Sequence, residues 1–400
     1  MKITGIEQKL IAWIEAHLQV LMVIFVTFCG LFIRYFLRPI VTDDATACLI
    51  PWYHDIEYGG GFAALKWQVG NYNVLYQFMI AVLTYLPIYS LTAYKALSGI
   101  FDYALAIAGA LVVGELVTED RSRKMLLTYS AVLLAPQVWL NSAAWGQCDS
   151  IYVFWIVAAF LFLCRERYGL SFLLYGVAFA FKLQAIFALP FFLLYWFMKK
   201  RFSILHFLEI PLMMILSTIP ALLAGREGGL LISFRIYADQ AGEGYLYRKY
   251  PGFWALIADA QPDNLDGILP AAMIFAAVVM IFQAAVWIRK KAVPNAENAL
   301  YMLFLLTYSC VLFMPGMHER YGYLYEILAI LIAVIYPETA VLLAGLLGIS
   351  VLLYGDGLFQ TGLNLTLLSV INITVYLLYF VVLTLKICGK KPEIRLLREK

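Results

Sequence analysis

The residues able to do chemistry fall in four short polar words set among long apolar runs. The first, Thr42-Asp43-Asp44, is followed by His54, Asp55 and Glu57. Neighbouring carboxylates repel, so one of Asp43 and Asp44 is expected to be held by a cation or metal, or raised in pKa towards a general base. The second, Trp145-Gly146-Gln147-Cys148-Asp149-Ser150, joins an aromatic face to an amide and a carboxylate, the set that stacks on a sugar and bonds its hydroxyls. In the third, Phe181-Lys182-Leu183-Gln184, a lysine interrupts two unusually short apolar runs, and its ammonium suits a phosphate as a point charge. The fourth, Met317-His318-Glu319-Arg320-Tyr321, is the densest. His318 and Arg320 suit a phosphate or pyrophosphate leaving group, with Glu319 orienting one of them. Plainer readings exist for each: a solvated loop, an interfacial tryptophan with a helix-capping aspartate, a snorkelling lysine and a structural Glu–Arg pair. Lys95 and Asp102 lie inside a further apolar run, and Arg226, Arg235, Arg248 and Lys249 cluster in a polar stretch.

A membrane must position these words. Of 400 residues 63% are hydrophobic and 14% charged, against roughly 25% charged in a soluble domain, so no water-solvated surface can be built. The composition specifies an all-α polytopic membrane protein. A net charge of +3 excludes nucleic-acid binding driven by bulk charge. Six scattered cysteines without a CxxC pair argue against a zinc or iron–sulfur site. Residues 1–9 are weakly basic, and the apolar stretch behind them is too long for a signal peptide and lacks a small-residue cleavage site, so it reads as a retained first span.

Twelve segments are long and apolar enough to cross: 17–37, 94–117, 126–143, 150–164, 170–182, 185–198, 203–224, 270–288, 298–315, 320–336, 339–355 and 365–386. With these spans, nineteen of the 29 lysines and arginines fall on one side, which is then the cytoplasm and holds both termini, including a basic tail at 388–400. All four polar words lie at the opposite, outer face. A thirteenth apolar stretch, 74–91, would reverse every later basic cluster, so it is expected to be a re-entrant or interfacial helix. Two outer segments remain long, 38–92 and 225–269, and both are expected to carry short helices. No repeat or inverted pair of broken segments stands out, so residues 1–400 read as one membrane domain.

These words in this order resemble the GT-C glycosyltransferases, polytopic enzymes whose donor is a polyprenyl- or dolichyl-phosphate sugar. The resemblance covers most of the chain and is nearest to bacterial relatives of the second mannosyltransferase of glycosylphosphatidylinositol assembly, through Thr42-Asp43-Asp44, Trp145-Gly146-Gln147-Cys148-Asp149, Phe181-Lys182-Leu183-Gln184 and His318-Glu319-Arg320-Tyr321. It implies a GT-C-like bundle of about twelve transmembrane helices with outer juxtamembrane helices, in a plasma membrane. It implies inverting transfer of a hexose to an extracytoplasmic glycan, lipid or polymer, with Asp43 as the base and Asp44 the competing candidate. Lys182, His318, Arg320 and Lys95 would hold the donor phosphate, and Trp145, Gln147, Asp149, Gln184, Glu319 and Tyr321 the sugar or acceptor. No cofactor is expected, although the carboxylate pair has the chemistry to take a divalent cation. The long soluble C-terminal domain of some GT-C enzymes is missing from this sequence, so acceptor recognition is expected from the outer loops. Cys48 and Cys148 are the cysteines placed for a disulfide between outer segments. A lipid-linked sugar flippase, or a surface polysaccharide polymerase or ligase, would share the lipid carrier. The flippase would call for alternating-access repeats and polar residues on both faces. The arginines of the second outer loop keep the polymerase or ligase open.

Overall fold

The structure is a computed structural model and describes residues 3–241, 244–259 and 261–389. Among them the only β-type pairings are isolated bridges between Arg248, Lys249 and His318; the rest is helix and connection. Residues 390–400, most of the predicted basic tail, lie outside the described residues.

The chain opens with α1 (Gly5–Leu37), started by a capping box in which Thr4 and Glu7 satisfy each other's end groups. The connection between α1 and the next long helix holds α2 (Ile50–Tyr58) and α3 (Val74–Leu83). At ten residues, α3 is roughly 15 Å long, half of a hydrocarbon core of about 30 Å, so it does not cross. Then follow α4 (Ser90–Leu116), α5 (Arg121–Leu134), α6 (Pro136–Trp139), α7 (Asp149–Cys164), α8 (Tyr168–Phe181) and α9 (Leu189–Lys199). A 3-10 turn leads into α10 (Glu209–Ser217) and α11 (Ile219–Leu223), and the long connection after it carries α12 (Ile232–Ala241) and α13 (Trp254–Ile257). The last five helices are α14 (Leu265–Arg289), α15 (Ala296–Phe313), α16 (Tyr323–Ile335), α17 (Ala340–Phe359) and α18 (Leu365–Ile387). All twelve segments read as apolar runs are helical. The first begins twelve residues earlier than expected, at Gly5.

Among the described residues seven helical stretches are long and apolar enough to cross a membrane: Gly5–Leu37, Ser90–Leu116, Ile204–Leu223, Leu265–Arg289, Ala296–Phe313, Pro337–Phe359 and Leu365–Ile387. The chain is therefore an all-α, membrane-embedded protein. Burial ranks these helices: the most apolar window of α15 is 83% buried and that of α1 only 11%, so α15 is the inner post and α1 faces lipid. Around them α4 packs on α5 and α7, α7 on α8, α8 on α10, and α15 on α14, α16 and α18. Large aromatic side chains fill the interior, among them Tyr152, Tyr175, Tyr301, Tyr308, Tyr323 and Trp287.

Cys48 and Cys148 are both free thiols, which overturns the proposed link between them. The Cys148 thiol is buried against Tyr72 and Tyr76, whereas Cys48 is half-buried beside Asp44.

Candidate functional site

Two interruptions of helix build the site. Between α5 and α7, Ala135 takes the extended conformation that a following proline demands, so α5 stops and Pro136 restarts the chain as α6. A wide π-type turn, Leu140–Trp145, follows and ends at Gly146, whose φ of 80° lets the chain reverse into α7. This geometry puts Trp145, Gln147 and Asp149 at one end of the bundle. The second interruption is Lys182, which is extended (φ −151°, ψ 135°) between α8 and a 3-10 turn at Leu183–Ala188. Helices α7 and α8, at 16 and 14 residues, are roughly 24 and 21 Å long, so the break falls inside the bundle and not beyond a full-length span.

Asp149 is the hub. It is fully buried, in the first turn of α7, where the free backbone N–H groups favour a carboxylate. One oxygen accepts from the Lys182 ammonium. The other accepts from Asn141 Nδ2 at 2.8 Å and lies 3.6 Å from Arg320 Nε. Asn141 reaches back from the π turn, also donates to the Tyr354 hydroxyl at 2.9 Å, and receives the Asp149 backbone N–H at 3.3 Å.

Arg320 belongs to the connection between α15 and α16. Its guanidinium faces the Trp145 ring at 5.7 Å and contacts Glu319 Oε1 at 3.4 Å, while Glu319 Oε2 lies 3.6 Å from His318 Nδ1. Burial opposes ionisation of Glu319, but the His318 hydrogen bond and the Arg320 charge outweigh it and hold the carboxyl down at about 2. His318 Nε2 accepts from Arg248 Nη1 at 3.2 Å, and Arg248 stacks on the Tyr245 ring at 3.7 Å. The connection that carries α12 and α13 is pinned there by backbone bonds from Arg248 N–H to the Met317 carbonyl (2.8 Å), Gly316 N–H to the Leu246 carbonyl (2.9 Å) and Phe253 N–H to the Leu312 carbonyl (2.9 Å). Tyr321 packs on Phe187 and His318, beside Lys182 and Gln184. The result is one connected run of polar groups: Lys182, Asp149, Arg320, Glu319, His318, Arg248.

The two first-loop carboxylates part company. Asp44 is half-buried and accepts from Gln147 Nε2 at 2.5 Å. Gln147 Oε1 in turn accepts from the Tyr72 hydroxyl at 3.2 Å, and Tyr72 lies beside Arg320 and Asp149. Asp43 is exposed and accepts from Gln360 at 3.1 Å. Among the described residues no three His, Cys, Asp or Glu side chains come together as metal ligands. Lys95, also expected at the donor phosphate, lies beside Gly146 with its ammonium turned to backbone carbonyls. It donates to the carbonyls of Ile40 (2.6 Å), Arg38 (3.1 Å) and Leu37 (3.4 Å), and so holds the chain where it leaves α1.

Several buried polar atoms at the cluster lack a hydrogen-bond partner among the described residues: Trp145 Nε1, Gln184 Oε1 and Arg320 Nε. Such a group costs about 1–3 kcal/mol unless something bonds it, so these three atoms are open to a polar ligand. Asn141, Tyr72 and Gln360 also belong to this neighbourhood, though none carried a sequence signal beyond its proximity to a polar word. Arg248 did carry one, as a member of the outer-loop arginine group.

No family model matches the chain, and no curated protein matches it.

Proposed function

We propose that this protein is a GT-C-type membrane glycosyltransferase that moves a hexose from a polyprenyl phosphate to an acceptor outside the membrane, with inversion. In this reading the twelve apolar helices all cross, the termini are cytoplasmic, and the site opens on the outer face of a plasma membrane. The observation that carries it is the arrangement of charge. Asp44, Lys182, Arg320 and His318, spread over 277 positions of sequence, are joined through Gln147, Tyr72, Asp149 and Glu319 at one end of the bundle. A base and a group of cations in one neighbourhood are what displacement of a phosphate from an anomeric carbon requires.

The step follows from those roles. Asp44 accepts the proton of the acceptor hydroxyl as that oxygen forms its bond to the anomeric carbon. The bond from the anomeric carbon to the phosphate oxygen breaks, and its electron pair leaves with the lipid phosphate. Lys182, Arg320 and His318 stabilise the accumulating charge, while Asp149 and Glu319 fix the cations in place. Trp145 offers a ring face to the sugar, and Gln147 an amide to a hydroxyl. The hydrogen bond to Gln147 favours Asp44 over Asp43 as the base. A flippase would need comparable polar groups towards both faces, whereas this cluster occupies one end.

The test is sugar transfer by purified protein from radiolabelled polyprenyl-phosphate mannose, glucose or galactose, with membranes as acceptor. Asp44→Asn should lower turnover about 10²- to 10⁴-fold, the usual worth of a general base, and Asp43→Asn less than about tenfold. Full turnover in Asp44→Asn would remove it as the base. No transfer by the wild type from any of these donors would remove the activity.

A further inference from the structure

The bundle holds a second buried ion pair that the proposed chemistry does not use. Asp102, on α4, is fully buried, and its Oδ2 accepts from Arg34 Nε (2.9 Å) and Nη2 (2.7 Å) on α1 and from the Ser142 hydroxyl (2.5 Å) on the π turn. Its Oδ1 is buried without a hydrogen-bond partner among the described residues. Arg34 also donates to the Gly30 carbonyl at 3.0 Å and lies over the Tyr103 ring at 5.2 Å.

Stability alone is a poor reason for such a pair. Removing two charges from water costs several kcal/mol per ion, and well-packed apolar replacements of a buried pair are often neutral or stabilising. An unpaired carboxylate oxygen adds to that cost. Ionisable groups inside a membrane bundle are functional candidates by default.

What the pair joins is specific. Helix α1 contributes only Val26 and Gly30 as buried residues, so besides the Lys95 bonds to the chain beyond it few packing contacts fix its C-terminal end, which leads directly to Asp44. On the other side, Ser142 neighbours Asn141, which bonds Asp149. The same turn holds the next stretch of backbone through Gly146 N–H to the Ser142 carbonyl (3.1 Å) and Gln147 N–H to the Asn141 carbonyl (2.9 Å).

We infer that Arg34 and Asp102 are positioning residues, which lock the outer end of α1 to the π turn and so set Asp44 in register with Gln147 and the Asp149 cluster. This deepens the transfer reading and rests on it. Neither residue touches the reacting atoms. Their effect is on orientation, where a displacement of about 1 Å is enough to cost on the order of a hundredfold in rate.

The experiment compares wild type with the double variant Arg34→Met/Asp102→Leu, which removes both charges at once, and with Arg34→Lys, which keeps the charge and loses the two-pronged grip. Three quantities are measured: thermal unfolding in detergent, affinity for farnesyl phosphate, and turnover at saturating sugar donor. The expected result is unfolding near that of wild type, affinity within about twofold, and turnover down ten- to a hundredfold in the double variant, with a smaller loss in Arg34→Lys. Hydrogen exchange at the Gly146 and Gln147 amides should also speed up, a change that does not depend on activity. If a stably folded double variant turns over like the wild type and protects these amides equally, the inference is overturned. Should that variant not fold, full turnover and protection in Arg34→Lys overturns it instead. Wild-type protein that transfers no sugar from any donor refutes the glycosyltransferase reading, while the amide-exchange comparison still judges whether the pair holds the turn.

Discussion

Asp149→Asn is the substitution whose consequence the structure fixes most closely. The change is nearly isosteric, so it opens no cavity, and its whole effect is electrostatic. It leaves the Lys182 ammonium and the Arg320 guanidinium, both largely buried, facing a neutral amide with no carboxylate between them. Breaking a buried pair by removing one partner costs about 3–5 kcal/mol. Lys182→Met should cost less, because Asp149 keeps Arg320 at 3.6 Å and Asn141 at 2.8 Å. The double variant leaves no stranded lysine and should recover about 2 kcal/mol relative to the sum of the singles. The assay is thermal unfolding of the four proteins in one detergent, followed by tryptophan fluorescence. A chain of this size loses roughly 1–2 °C per kcal/mol on extrapolation of the usual scaling, so Asp149→Asn should melt about 3–10 °C lower. If Asp149→Asn melts with the wild type, or the two single effects add within about 0.5 kcal/mol, Asp149 and Lys182 are not a buried pair and the hub does not exist.

Lys95→Met should cost about 1–2 kcal/mol, since the carbonyls of Leu37, Arg38 and Ile40 lose their donor, and should leave affinity for a polyprenyl phosphate within about twofold. A tenfold loss of affinity would return Lys95 to the phosphate site. Glu319 supplies a pH dependence: its folded pKa of about 2 lies below its ordinary 4.5, so its contribution is complete above about 4.5 and is lost as the pH falls towards 2. The melting-temperature gap between wild type and Glu319→Gln should therefore hold constant from pH 8 to pH 5 and shrink below that. A gap that widens on acidification would refute the assignment.

How far each residue could be read from the sequence followed from how local its determinants are. A helix that faces lipid is decided by its own run of apolar side chains, because every backbone group must bond within the segment. All twelve apolar segments therefore emerged as helices, and the bilayer itself followed from composition. The stretch 74–91 was long enough to span by its own run and was set aside only because crossing would reverse every later basic cluster; that its helix stops at Leu83 was visible only in the structure. The polar words were legible for a related reason, since charge inside such runs is costly and conspicuous. Which polar groups meet is a different question. Asp43 and Asp44 are adjacent and chemically identical, and only the packing of the first loop on the π turn turned Asp44 towards Gln147 and Asp43 towards Gln360, a partner 317 positions away. Lys95 read as another cation for a phosphate, and only the packing of α4 beside the end of α1 brought the carbonyls that its ammonium bonds. Arg248 joined His318 because two loops 70 positions apart share backbone bonds. Local pattern determined each helix and its solvent; long-range packing alone decided which side chains share a site, because no periodicity along one segment encodes the neighbour that another segment will bring.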